Sequence, residues 1–131
     1  MIKIDELIVK LDYFAVGFLN DWNQEDGLYN EGQDTNVHSL FSYFSHYVAD
    51  RLDDSSSIRK KELFKFIEEM MTYGTKTQKD AIATCFLESL LHVVGVKFEA
   101  NNYFPYLGKE SIEFLRAYDI FNGVKTDGLW Y

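Results

Sequence analysis

Apolar residues return every three or four positions from the start of the chain: Ile4, Leu7, Ile8, Leu11, Phe14, Ala15, Phe18, Leu19 and Trp22. That spacing lays one stripe along a helix and predicts a single helix ending near Asp21 to Asn23. The pattern stops in "NDWNQEDGLYNEGQD", residues 20–34, where Gly27 and Gly32 act as breakers and a loop is expected. Asp34 or Thr35 can cap a second helix through a side-chain oxygen. Its inner face is Val37, Leu40, Phe41, Phe44, Val48 and Leu52, and "DDSSS" after it reads as a turn. A third helix presents Ile58, Leu63, Phe66, Ile67 and Met70 inward and stops at Gly74.

Thr75 or Thr77 caps a fourth helix, in which Ala81, Ile82, Cys85, Phe86, Leu87, Leu90, Val93 and Val94 cover most of the circumference. Asp80, Thr84, Glu88 and His92 leave one narrow polar stripe. A helix apolar nearly all round is normally central, so this one is expected to be the spine. "EANNYFPYLG" is a connector, its Asn pair and Pro105 favouring turns. A fifth helix follows from about Lys109 to Phe121, with Ile112, Leu115, Tyr118 and Phe121 at helical spacing. No sustained alternation supports a sheet. The expected fold is all-α: a single domain over residues 1–131, with about five main helices packed as a bundle or a short stack of helical hairpins. It divides into an acidic helical hairpin (1–54), scaffold helices (55–121) and a tail (122–131) whose aromatics look exposed.

With 47% apolar and 17% aromatic residues, 131 residues can bury a core without a metal or disulfide staple. The single cysteine, Cys85, excludes an internal disulfide and fits a reducing compartment. "MIKIDELIVK" has no basic n-region and no small-residue cleavage site. The best apolar run, "LLHVVGV", falls far short of the ~20 residues that span a bilayer. A soluble cytoplasmic chain is expected, with no membrane partner.

Charge changes the picture more. The net charge is −8, and residues 1–54 hold eleven acids against three bases while residues 55–131 hold ten of each. The whole excess therefore lies in the first part of the chain. Such a balance disfavours nucleic acid, whose binding needs cations to neutralise phosphates. It favours a cationic partner, or serves solubility alone.

Within residues 20–34 sit five carboxylates (Asp21, Glu25, Asp26, Glu31 and Asp34) and no lysine or arginine. As a calcium loop the stretch fails: begun at Asp21, its sixth position is Asp26 rather than glycine and its twelfth is Gly32 rather than a carboxylate. His38 and His46, with Asp50 four residues on, lack the third convergent ligand that a metal usually needs, and only His92 and Cys85 remain to recruit. Cys85 lies mid-helix, away from any helix N-terminus, and reads as a small buried hydrophobe. There is no nucleophile elbow, phosphate-cradling glycine loop or zinc-protease motif. Glu68 with Glu69, and Glu110 with Glu113, are pairs that exposed helices carry routinely. Arg59, Lys60, Lys61 and Lys65 read as a solvated face. No catalytic residue, cofactor or metal is expected.

The third and fourth expected helices read "LFKFIEEMMTYGTKTQKDAIATCFLESLLH", followed by "YFPYLGKESIEFLRAYDIF". This order resembles a family of small all-helical bacterial proteins: an aromatic-x-x-(Ile)-Glu helix, a glycine-polar turn, an A-(I/V)-x-T-x-F-L-E-x-L helix and a P-(Y/W)-L-G turn. That family includes immunity proteins of polymorphic and contact-dependent growth inhibition toxin systems. The likeness spans residues 58–121 and is carried by Glu68, Phe86, Leu87, Glu88, Pro105, Leu107 and Gly108. It implies a helical scaffold in which Glu68 and Glu88 hold turns or helix ends. It also implies a protein that neutralises a cognate toxin domain, a cationic nuclease on the charge argument, in a 1:1 complex. Glu25, Asp26, Glu31 and Asp34 would supply the charge and Tyr29 the aromatic anchor. Trp22 is the weaker anchor because it continues the apolar stripe. Asp50, Asp53 and Asp54 form a separate acidic patch. The alternative is a non-catalytic adaptor or structural helical protein whose acidity is only solvation.

Overall fold

The computed structural model describes residues 4–24 and 37–130. Among these the expected all-α fold is found, and the pairing detected outside helices is one isolated bridge between Val94 and Phe98. The first expected helix is in fact two, α1 (Ile4–Phe14) and α2 (Phe18–Gln24). The chain turns at Gly17, whose φ of +95° suits glycine and strains any other residue. A methyl group there would also meet the Tyr47 hydroxyl at 2.7 Å. That hydroxyl donates to the Val16 carbonyl (2.7 Å), and the Asp12 carboxylate accepts from the Leu19 backbone N–H (2.9 Å) at the start of α2. The apolar stripe crosses the corner unbroken because both helices bury the same side: Leu7, Leu11, Phe18 and Trp22 are all buried.

Helix α3 (Val37–Ala49) buries Leu40, Phe41, Phe44 and Val48 as expected, and Leu52 follows in a short 3₁₀ turn, Leu52–Asp54. The proposed caps Asp34 and Thr35 lie outside the described residues. Helix α4 (Ser57–Tyr73) is started by Ser56, whose hydroxyl accepts from the Arg59 N–H, and stops at Gly74. Its buried face is Leu63, Phe64, Phe66, Ile67 and Met70. Ile58, assigned to the core by spacing, is instead 68% exposed, because it sits in the first turn, ahead of the packed part of the helix.

The expected spine is one helical run in three parts: α5 (Lys76–Ala81), a π-helical segment (Ile82–Leu87) and α6 (Glu88–Leu91). Thr75 opens it with a reciprocal capping box, its hydroxyl accepting from Gln78 N while the Gln78 side chain accepts from Thr75 N. In the π segment the Glu88 N–H reaches back five residues to the Ala83 carbonyl. The extra residue per turn lets Ile82, Ala83, Phe86, Leu87 and Leu90 all face inward. Val93 and Val94 lie beyond the helix end and are half-buried.

Around this run the core is largely aromatic. Phe86 stacks on Phe44 (5.5 Å between centroids), which meets Phe18 edge-on at 4.8 Å, while Phe64 meets Tyr103 at 5.6 Å. Fully burying one such ring contributes about 1.5–3 kcal/mol before ordering costs. Tyr103 is wholly buried and donates to the Leu87 carbonyl (2.8 Å); burial pushes its phenol well above the ordinary range, so it stays a neutral donor.

The connector forms two short 3₁₀ turns, Ala100–Asn102 and Phe104–Tyr106, with Pro105 near the start of the second. Helix α7 (Lys109–Asn122) then packs against α4. Leu115 is buried, but Phe121 is 88% exposed, since α7 outruns its neighbour there. The chain leaves through Gly123 in the left-handed conformation (φ +70°). The tail does not hang free: Leu129 is buried and Trp130 half-buried. Asp119, itself buried, accepts from Thr126 N (2.8 Å), Thr126 Oγ1 (3.0 Å) and Trp130 Nε1 (2.8 Å), while the Arg116 guanidinium donates to the Leu129 carbonyl. The expectation of exposed terminal aromatics fails at Trp130 for that reason. No helix among the described residues is long and apolar enough to cross a membrane.

Candidate functional site

Glu25, Asp26, Tyr29, Glu31 and Asp34, the residues assigned to partner binding, lie outside the described residues. What is described is the pair of helices that the acidic stretch joins. On α2, Phe18 and Trp22 are both inserted in the core, and Tyr43 of α3 meets the Trp22 ring edge-on at 5.4 Å. The Tyr43 hydroxyl donates to the Asp21 carboxylate at 2.5 Å. Asp21 is thus the one acid of the stretch with a described internal task. Trp22 is 1% exposed, as its place in the stripe implies, and its indole N–H meets no acceptor among the described residues. The helices before and after the acidic stretch, α2 and α3, are therefore packed into the aromatic core.

Next to this anchor, His38, Ser42, Tyr43, His46 and Cys85 line an open depression of about 390 Å³. Spacing alone did not unite these groups, because Cys85 comes from the π segment rather than α3. Cys85 is half-buried rather than buried, and its sulfur lies 3.6 Å from Thr84 Oγ1. Among the described residues no three His, Cys, Asp or Glu side chains come together to hold a metal.

The second acidic patch works inside the fold. Asp53 Oδ1 accepts from the Glu99 N–H (2.9 Å) and from Asn102 Nδ2 (2.7 Å). Those bonds, the Glu99 N–H foremost and Asn102 next, hold its carboxyl below the usual carboxylate range. Asp50 pairs with Lys97 at 3.2 Å. Both acids tie the end of α3 to the segment after α6. The basic quartet is divided likewise. Lys60 is 6% exposed, donating to Asn102 Oδ1 (2.6 Å) with its ammonium 5.2 Å from the Tyr106 ring. Arg59 lies over the Tyr13 ring (4.5 Å) and donates to the Tyr13 carbonyl (2.7 Å). Only Lys61 and Lys65 of the four are exposed as a solvated face requires. Spacing could not reveal this, because the partners of Arg59 and Lys60 lie more than forty positions away.

Glu68 proves to hold a helix end. Its carboxylate accepts from Glu110 N (2.6 Å), Ser111 N (3.0 Å) and Ser111 Oγ (2.8 Å), capping α7 in place of a local residue. Gly108 permits this: a Cβ there would lie 2.4 Å from Glu68 Cδ. Glu88 stands 4.0 Å from His92 Nε2, whose imidazole contacts the Tyr118 hydroxyl at 2.9 Å, joining the end of α6 to α7. Loss of solvent and the Glu88 carboxylate together push the Tyr118 phenol up.

The convergent polar groups described thus brace helix ends, corners and the tail. No curated protein and no solved structure gives a significant match to the chain. A family model described as a domain of unknown function, DUF7674, matches residues 15–123. That match runs through the acidic stretch as well as the scaffold, so residue 54 is not a family boundary. On the extent of this match, the chain belongs to the DUF7674 family.

Proposed function

We propose that the protein is an immunity protein, binding a cognate toxin domain 1:1 and covering its active-site surface. The partner in this reading is a cationic nuclease, whose phosphate-holding face accepts an acidic inhibitor. One observation carries it: the entire net charge of −8 resides in residues 1–54, and the densest run of acids joins two helices pinned in the core. Carboxylates then steer encounter, raising on-rates by roughly 10–1,000-fold at low salt. Tyr29 supplies a desolvated aromatic of the kind that dominates binding hot spots. The scale suits the task, since a standard interface takes roughly 800 Å² from each partner. The resemblance over residues 58–121 supports the same role.

Among the described residues, Asp50, Asp53, Glu68 and Asp119 each meet a cation or donor within the chain. Their charge therefore serves the fold, and the carboxylates at residues 25–34 are the ones assigned to the partner. The test begins with the neighbouring reading frames: where one encodes a large secreted protein, its C-terminal domain is co-expressed with this chain. Growth should be rescued and a 1:1 complex should co-purify. Death of the cells with no complex would refute the reading. Under the alternative of an adaptor with merely solvating acids, reversing Glu25, Asp26 and Glu31 to lysine leaves function untouched.

A further inference from the structure

Beneath the corner between α1 and α2 lies a pocket of about 220 Å³, bounded by the end of α3 and the start of α4. Its floor is apolar and buried: Val48, Leu52 and Leu63. Its walls carry Arg51, Arg59 and Lys60, the last already donating to Asn102, with Asp54 as the one carboxylate. Each guanidinium is fixed on an aromatic face. Arg51 sits 3.6 Å from the centroid of the Tyr47 ring and donates to the Tyr47 carbonyl (3.1 Å). Arg59 is held in the same manner on Tyr13.

Neither arginine has a carboxylate within ion-pair distance among the described residues, in a chain of net charge −8. A guanidinium has five N–H donors, and each of these spends one described bond on a backbone carbonyl. Spare donors thus stand on stacked, rotamer-restricted groups, the preorganised form in which arginine takes up a carboxylate. The first turn of α4 adds the positive end of a 17-residue helix. At the rim, Val16 is 72% exposed.

We propose that this pocket binds an amphipathic monocarboxylate, its carboxylate on Arg51 and Arg59 and its short apolar chain on the floor of Val48, Leu52 and Leu63. The volume matches roughly seven waters' share of liquid, room for a carboxylate with a few methylenes. Asp54 disfavours a dianion, and the floor gives no partner to a purely polar ion. The ligand chemistry is shared by a free short-chain acid and by a peptide ending in an apolar residue. The site uses none of the residues 25–34, so it stands independently of the immunity reading.

The probe is sodium hexanoate, titrated into the full-length protein while the arginine Nε–H signals and the methyl signals of Val16 and Val48 are followed by NMR. Saturable shifts at Arg51 and Arg59, weakened at least about tenfold in both R51Q and R59Q, are expected. Hexan-1-ol should bind no better than those variants. An acetylated peptide ending in leucine, compared with its C-terminal amide, separates the sources: tighter binding of the free-carboxylate peptide than of hexanoate identifies a protein terminus, and the reverse identifies a free acid. Non-saturating shifts, or equal affinity in the variants, would overturn the proposal. So would inorganic phosphate displacing hexanoate at equal affinity, since the apolar floor would then have no role. Unchanged amide spectra away from the pocket establish that R51Q and R59Q remain folded.

Discussion

Glu68 and Gly108 show how two residues forty positions apart determine one helix end. The carboxylate replaces the missing local cap of α7, and the glycine leaves the space it needs. Gly108→Ala is expected to cost about 1–3 kcal/mol by overpacking, and Glu68→Ala about 1.5–3 kcal/mol by stripping donors of a charged acceptor. Denaturant unfolding of the double variant should show less than the summed loss, by at least ~0.5 kcal/mol, because the clash and the cap share one atom group. Additive losses would mean that the two residues act separately. Asp53 makes a pH-dependent contribution. The Glu99 N–H and Asn102 hold its carboxyl below the ordinary carboxylate range in the fold, so its stabilisation is present above the unfolded pKa and fades as pH falls through the lower folded one. In acid unfolding curves Asp53→Asn should flatten the dependence below about pH 4 and leave the neutral-pH slope unchanged. The role of Glu68 was legible in sequence through its resemblance to the family pattern. That of Asp53 was not, since its partners Glu99 and Asn102 are brought near only by the chain's return past the end of α3.

At the scale of elements, hydrophobic period located the main helical runs among the described residues but misjudged continuity. The stripe from Ile4 to Trp22 passes through the Gly17 corner, because two helices that bury the same side keep a helical spacing across a kink. The signal at hand was the glycine itself, unaccompanied by proline or a polar cluster. Gly17→Ala should destabilise the protein by about 1–3 kcal/mol, from left-handed strain and collision with Tyr47. In a Tyr47→Phe background the added cost should be smaller, with the backbone part remaining; thermal melts of the four proteins separate the two terms. The π segment was equally hidden: an extra residue in one turn keeps apolar residues inward, so nearly all-round hydrophobicity reads the same with or without it. Ile58, expected inward, and Phe121, at helical spacing, are exposed for a different cause. They continue the period of α4 and α7 past the point where another element covers them, and period alone does not register where coverage ends.

For the whole molecule, the described part is a helical scaffold in which a set of polar side chains ties helix ends, corners and the tail together. Caps at Ser56, Thr75 and Glu68, the Asp53 and Lys60 bonds to Asn102, and the Asp119 latch on the tail are all internal. The charge imbalance was fully legible in the sequence; the geometry of Glu25, Asp26, Tyr29, Glu31 and Asp34 lies outside the described residues, and their role rests on charge, composition and resemblance. The account turns on that acidic stretch meeting a cationic partner. Stopped-flow association of the purified toxin domain with the native chain, and with the variant carrying Glu25, Asp26 and Glu31 all replaced by lysine, tests it most directly. The native on-rate should fall steeply as salt is raised, and at low salt the variant should associate roughly 10–1,000-fold more slowly with its melting temperature preserved. Equal, salt-insensitive association of the two proteins would contradict it.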